Sequence, residues 1–466
     1  MNIRVFTNWW LSMSNNNQGG SLGLVTCITL IVGGMIGSAI FSLSGFTIYN
    51  AGPSALISWG LAAVIMLTYG LIVAELSVIF PKSGGVFVFP AKALGKKSER
   101  GKLWGWISTW GYINANIVAI AFAAIYVATY LGVGFPIFSN LQIPLAIVSI
   151  IIIFILNSVK FSVAGKANTV LVTGLVITLL TYIAVSMFSG SWEAKLLTPF
   201  LTQGAAGSIG FLSVVPTAMV AYGSVVAIAF MVSEVKDPNK NVPKSILIGM
   251  GIVFILYFLV ILATVGLISA DFLKENAGMR YIPLYAAAFT KLSSLPWLSK
   301  VISISAVLAL FTTMLVVMAL TSRALAAAAQ GGMLPEKFGK NNKSGVPVYA
   351  TMVIACLSII VSCFPQFTSE IVGFAALFAS ITISINCISL IVARRNNKHV
   401  PGTFRAPGGT FMPIFALVVI ILCYIPDIVN GGWKIWLYTI AWYLLGLFIY
   451  KVYSKNSIKD KTKENV

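Results

Sequence analysis

Apolar runs of about 20 residues recur from Leu22 to Tyr453, and only short polar pieces separate them. A run of that length crosses the hydrocarbon core of a bilayer as a helix, because a helix satisfies its own backbone polar groups where no water reaches them. Barrel strands would be shorter and would alternate with period two, a pattern these runs lack. The chain is 58% hydrophobic and 9% charged, against roughly a quarter charged in soluble domains. The expected fold class is therefore an all-α membrane protein.

Twelve transmembrane helices are read, at 22–46, 53–80, 104–132, 143–159, 167–189, 208–232, 243–268, 300–328, 347–364, 370–393, 412–430 and 434–454. Basic residues alternate sharply among the connections. Lys82, Lys92, Lys96, Lys97, Arg100 and Lys102 follow the second span, and Lys160 and Lys166 the fourth. Lys236, Lys240 and Lys244 follow the sixth, Lys337, Lys340 and Lys343 the eighth, and Arg394, Arg395, Lys398 and Arg405 the tenth. The tail adds Lys451, Lys455 and Lys459, while the opposite loops nearly lack basic residues apart from the mixed-charge 270–300 stretch. The positive-inside rule then puts both termini and the even-numbered loops in the cytoplasm, in a multi-pass protein of the plasma membrane. No cleavable signal peptide is read, and Trp9-Trp10 in the polar 1–20 segment suits the membrane interface. The net charge of +19 comes from these dispersed loop residues, which argues against nucleic acid as a partner.

Catalytic and metal chemistry is not indicated. Cys27, Cys356, Cys363, Cys387 and Cys423 all fall inside apolar runs without metal spacing and read as small core residues. The single histidine, His399, lies in a basic loop. No catalytic residue, metal or cofactor is expected. A membrane-embedded acyl- or glycosyltransferase would need His/Asp/Glu constellations, and a channel a repeated pore motif or charged ring; neither is seen.

Two spans carry interruptions. The first crowds Gly33, Gly34 and Gly37 at its centre. These glycines serve either as a small-residue packing face, Gly33 and Gly37 forming a GxxxG, or as an unwound segment whose following amides, near Ser38–Ile40, hold a carboxylate. The sixth span offers Pro216, which removes a donor, and a flexible break at Gly223-Ser224. Interruptions at corresponding places in two five-helix halves point to an inverted-repeat transporter with a midplane site.

Four segments resemble signatures of the amino acid–polyamine–organocation (APC) superfamily. Gly34-Met-Ile-Gly-Ser-Ala-Ile-Phe41 is similar to its GSGIF motif, and Glu75-Leu-Ser-Val-Ile-Phe-Pro-Lys-Ser-Gly-Gly85 to its segment after span two. Ser233-Glu-Val-Lys-Asp-Pro-Asn-Lys-Asn-Val-Pro243 resembles its loop after span six, and Ser322-Arg323 with Gln330-Gly-Gly-Met-Leu-Pro335 its span-eight signature. Leu22-Gly-Leu and Asn116-Ile-Val-Ala-Ile120 look like the basic amino acid/polyamine antiporter branch. The resemblance implies a LeuT-type fold with a 5+5 inverted repeat. Residues 21–190 and 205–395 would be the two repeats and 410–454 two added helices, flanked by cytoplasmic segments 1–20 and 455–466.

The resemblance also implies a site. The substrate carboxylate would meet the amides of Ser38 and Ala39. Its ammonium would meet carbonyls of Gly34, Met35 and Ile36, beside Gly37, and the break at Tyr222, Gly223 and Ser224. Ala39 stands where the motif has its second glycine, so its methyl narrows the carboxylate site. Members that take cations carry a span-six carboxylate where this chain has Val226, and gate aromatics where it has Val220 and Val317. Asn116 aligns with a pocket asparagine and either bonds substrate or pairs with Asn114 or Tyr112; Tyr112, one turn earlier, would line the pocket. A second ammonium in so apolar a pocket costs on the order of several kcal/mol.

The function expected is a secondary active amino acid transporter working by alternating access, for a neutral, apolar or aromatic amino acid, in one reading exchanged for its amine. The alternative is a cationic amino acid/polyamine antiporter. Its partners are the amino acid or amine and the lipid bilayer; H+ or an exchange substrate would supply the coupling, and the oligomeric state is open. Proton-coupled relatives often carry a span-five lysine, absent from Asn168–Leu180, which favours exchange. Thr312 and Thr313 either offer oxygens to sodium or bond their own helix. Glu75 and Glu234 read as pairing or gating residues, Arg323 as a partner for such a carboxylate, Pro243 as the first-turn proline of span seven, and Asp427 as structural.

Overall fold

The computed structural model describes residues 20, 22–82, 84–95, 98–159, 166–396, 402–426 and 433–463. Trp9, Trp10, Lys96, Lys97, Lys160, Lys398, His399 and Asp427 lie outside the described residues. The first half comprises α1 (Leu24–Met35), α2 (Ser44–Ala51), α3 (Ala55–Ile79), α4 (Gly85–Ala93), α5 (Ser98–Gly134), α6 (Gln142–Ser158) and α7 (Lys166–Phe188). Then come α8 (Gly210–Ser213), α9 (Val215–Ala221), α10 (Ala227–Phe230), α11 (Pro238–Val265), α12 (Ala270–Glu275), α13 (Pro283–Lys291) and α14 (Pro296–Gln330). The last four are α15 (Val348–Ser362), α16 (Thr368–Arg395), α17 (Phe411–Cys423) and α18 (Trp433–Lys463). Strand-like pairing among the described residues is confined to one backbone bridge, between Leu22 and Val235.

Seven described helices are long and apolar enough to cross a membrane, or eight if a pair bent by 45° near Tyr222 counts as one span; α6, α15 and α17 are apolar but shorter. The chain is thus an all-helical, multi-pass membrane protein. Leu24–Ile79 is one of the seven, yet the chain folds back inside it. In a straight helix Thr47 and Trp59 would stand about 18 Å apart, whereas Trp59 Nε1 donates to Thr47 Oγ1 at 2.9 Å. Gly52, at φ +60, and Pro53 make the reversal, a left-handed conformation glycine adopts without penalty.

The interior is held by aromatic and polar ties between helices. Trp59, Tyr222 and Tyr257 are fully buried, with ring centroids 5.3–6.1 Å apart, and bring α3, the α9–α10 break and α11 together. Tyr130 of α5 donates to Phe41 O at 2.5 Å, and Ser303 of α14 to Tyr130 O at 2.5 Å. At the end of α5 nearer its start, Trp106 and Trp110 donate to Gly446 O and Trp442 O of α18, each at 2.8 Å. The opposite flank of α18 leaves Leu437, Ile440, Leu444 and Phe448 exposed, as lipid contact requires.

Glu75, fully buried at the end of α3, forms a two-pronged pair with Arg394 of α16: Nε to Oε1 at 2.9 Å and Nη2 to Oε2 at 2.5 Å. Ala406 N–H donates to Glu75 Oε2 at 2.7 Å, and Arg394 also donates to the carbonyls of Ala406 and Gly409. The sequence reading of Glu75 as a pairing residue has its geometry here. Glu234 meets Arg323 at 3.4 Å with both side chains partly exposed.

Several details differ from the sequence reading. The loop after span two contains α4, packed along α5. Pro243 lies inside α11 rather than in its first turn, because Asp237 takes a left-handed conformation (φ +45) and Pro238 opens the helix. Cys27, Cys387 and Cys423 are buried, but Cys356 is exposed on α15.

Candidate binding site

The first span is not continuous. α1 ends at Met35, Ile36 turns to ψ 92, and a π-helical turn, Ala39–Leu43, resumes toward α2. Carbonyls at the end of α1 and amides at the start of the next turn therefore lack helical partners, which is the arrangement that offers a backbone charge complement to a zwitterion. Gly34 O accepts from Ser224 Oγ at 2.9 Å, and Met35 O accepts from Tyr257 Oη. Each carbonyl oxygen keeps a second lone pair. Glycine is required at two of these positions: a methyl on Gly34 would stand 2.8 Å from Ser224 Cβ, and one on Gly37 would overlap Thr313 Oγ1.

The second break lies opposite. α9 stops at Ala221, Gly223–Val226 forms a 3-10 turn, and α10 continues to Phe230. Pro216 sits in the first turn of α9, following a shorter interruption at Val214.

A partly enclosed cavity of about 970 Å3, its mouth included, opens between the two breaks. From the first break, Gly34, Met35, Ser38 and Ala39 line it; from the second, Val220, Gly223, Ser224 and Val226. Tyr112 and Asn116 face it from α5, and Val317 from α14. Three anticipated residues lie off its wall. Ile36 is fully buried, Gly37 packs on Thr313, and Tyr222 points back into the aromatic cluster, donating to Trp59 O at 3.3 Å. Once a helix unwinds, its periodicity no longer says which way a side chain points, and Tyr222 sits on such a junction. Asn116 donates to Tyr112 O at 2.7 Å, a bond within its own helix rather than between helices.

The sequence reading missed a whole wall. Ala375, Ala379, Ser380 and Thr382 of α16, Ala115 and Ala119 of α5, and Tyr69 of α3 also line the cavity. Tyr69 Oη accepts from Asn386 Nδ2 at 3.1 Å. No Asp, Glu, Lys, Arg or His is among the lining residues, so charge recognition in this cavity falls to the backbone. Thr312 bonds Ala309 O of its own helix at 2.9 Å, whereas Thr313, a lining residue, packs its buried Oγ1 against Gly37 with no hydrogen-bond partner. Among the described residues no His/Cys/Asp/Glu cluster could hold a metal.

Apolar helices broken in two places, with their backbone ends converging on a partly enclosed cavity, define a polytopic membrane transporter. The chain belongs to the amino acid permease family, whose sequence profile matches residues 22–449. It is similar to the branched-chain amino acid permease BcaP of Bacillus subtilis, 26% identical over 463 residues and 94% of either chain. It is also similar to an aspartate-proton symporter of that organism, 27% identical over 94% of this chain and 85% of the relative. A methylthioribose transporter of B. subtilis is 26% identical over 93% of this chain and 94% of its own. The protein is an amino acid transporter of the APC superfamily and not an enzyme.

Proposed function

We propose that the protein carries a neutral, apolar amino acid across the plasma membrane by alternating access, holding it between the two helix breaks. In this reading the α-carboxylate meets the amides of Ser38 and Ala39. The ammonium meets the free lone pairs of Gly34 O and Met35 O and the carbonyls around Gly223. The side chain lies among Tyr112, Val220, Val226 and Val317. The observation that carries the reading is a cavity without an ionisable side chain, flanked by backbone dipoles of both signs. A cationic or acidic side chain would stand there without a counter-charge, at a cost on the order of several kcal/mol. The similarity to a permease named for branched-chain amino acids fits the same choice, and it is the uncharged cavity that weighs against the aspartate named for the symporter.

The proposal extends to topology. Twelve passages with both termini cytoplasmic follow from the alternating basic loops, and the breaks at the first and sixth passages fit two inverted five-helix repeats, 21–190 and 205–395. Span five lacks a lysine, which favours exchange of one substrate for another, an amine included, over proton coupling. The cationic antiporter reading has the branch resemblance in its favour, but the cavity offers a cationic side chain no counter-charge.

Uptake of radiolabelled L-leucine into proteoliposomes, competed with neutral, aromatic, cationic and acidic amino acids and their amines, tests the proposal. Neutral apolar competitors are expected to block uptake, and preloading with the same amino acids to accelerate it. Absence of leucine uptake, or block by arginine or aspartate where neutral apolar amino acids other than leucine fail to compete, overturns the substrate assignment.

A further inference from the structure

We propose that Ala115, Ala119 and Ala379 form the size gauge of this transporter and select amino acids with long or aromatic apolar side chains, an inference that rests on the binding mode above. Gly111, Ala115 and Ala119 recur at one-turn intervals and share a face of α5; Ala375 and Ala379 repeat that spacing on α16. The two helices approach closely beside the cavity. Thr382 Oγ1 donates to Ser108 O at 3.2 Å, and a methyl on Gly111 would stand 3.4 Å from Phe378 O.

Alanines between helices packed this tightly are ordinarily buried, as Ala375 and Ala376 are. Ala115, Ala119 and Ala379 instead keep part of their surface exposed, and all three line the cavity. The half-buried Val220 and Val317 line it too. With the carboxylate and ammonium held at the breaks, the substrate side chain faces the walls of α5, α14 and α16 together with Val220 and Val226. On α5 and α16 the alanine methyls stand between larger lining residues such as Tyr112 and Ile383, so at the alanines the depth of the pocket belongs to the occupant. A short side chain would leave the alanine wall unfilled, and a hydrophobic pocket discriminates by roughly ten- to two-hundredfold per methylene.

The test is inhibition of radiolabelled L-leucine uptake in proteoliposomes by L-phenylalanine, L-tryptophan and L-alanine. The wild-type protein is expected to respond to phenylalanine at a concentration at least roughly tenfold lower than to alanine. Ala379→Leu fills the wall, and is expected to lose about tenfold or more of the phenylalanine response while keeping that to alanine. Ala379→Gly only adds room and is expected to gain sensitivity to tryptophan; it decides the matter if the leucine variant gives no active protein. Equal potency of alanine and phenylalanine on the wild type, or a competition profile unchanged in both variants, overturns the gauge and leaves the binding mode standing. Leucine uptake that no amino acid inhibits overturns the binding mode, and the gauge with it.

Discussion

Ser224 Oγ donates a hydrogen bond to Gly34 O at 2.9 Å, joining two helix breaks that lie 190 residues apart in sequence. The bond fixes the distance between the two breaks and leaves one lone pair of the Gly34 carbonyl for an ammonium. A net hydrogen bond contributes about 0.5–1.5 kcal/mol, or roughly two- to tenfold in affinity. Ser224→Ala is therefore expected to raise the KM for leucine by that factor with little change in the amount of folded protein. Unaltered uptake kinetics would mean that the tie has no part in holding substrate.

Ser38 opens the turn after the first break and lies, nearly buried, on the cavity wall. Ser38→Trp puts an indole where the carboxylate and α-carbon would lie. Uptake is expected to vanish while detergent-solubilised protein stays monodisperse by size-exclusion chromatography. Full uptake by this variant refutes a site at the first break.

Val226 lines the cavity just beyond the second break, in a wall without an ionisable group. An acidic residue there supplies the counter-charge that a cationic side chain needs. Val226→Asp is expected to shift competition toward arginine and lysine by roughly tenfold or more, the worth of a charge-assisted hydrogen bond of about 1.5–3 kcal/mol. The same competition panel checks it, and a profile identical to the wild type removes Val226 from the pocket.

Much of this arrangement was legible in the chain. The apolar runs gave the membrane fold, and Gly33, Gly34, Gly37 and Gly223 marked both breaks, because glycine clusters weaken a helix wherever they stand. The α16 wall was not legible. Alanine is a favourable helix former anywhere, so Ala375 and Ala379 carry no mark of facing a cavity until α5 is known to lie beside them. Tyr222 was expected at the break through its backbone, and where its ring goes was not legible, because helical spacing gives no direction at a residue where the helix stops. Pro243 was displaced inward because Asp237, by turning left-handed, let Pro238 begin the helix first.

Glu75 and Arg394 pair in the interior, with side-chain exposures of 0% and 6%. Removing one member leaves the other buried without its counter-charge, at a cost of about 3–5 kcal/mol. Glu75→Gln is expected to lower the melting temperature of the detergent-solubilised protein markedly, and the double variant Glu75→Leu/Arg394→Met less so. A single variant as stable as the wild type would show that the carbonyls of Ala406 and Gly409 alone satisfy the arginine.

The central claim is that backbone groups at two broken helices grip the amino acid's carboxylate and ammonium. A cryo-EM map of the protein with L-leucine bound tests it most directly. The account predicts leucine between the breaks, its carboxylate within hydrogen-bonding distance of the Ser38 and Ala39 amides and its nitrogen against Gly34 O and Met35 O. Two unbroken helices, or leucine seated elsewhere, would contradict it.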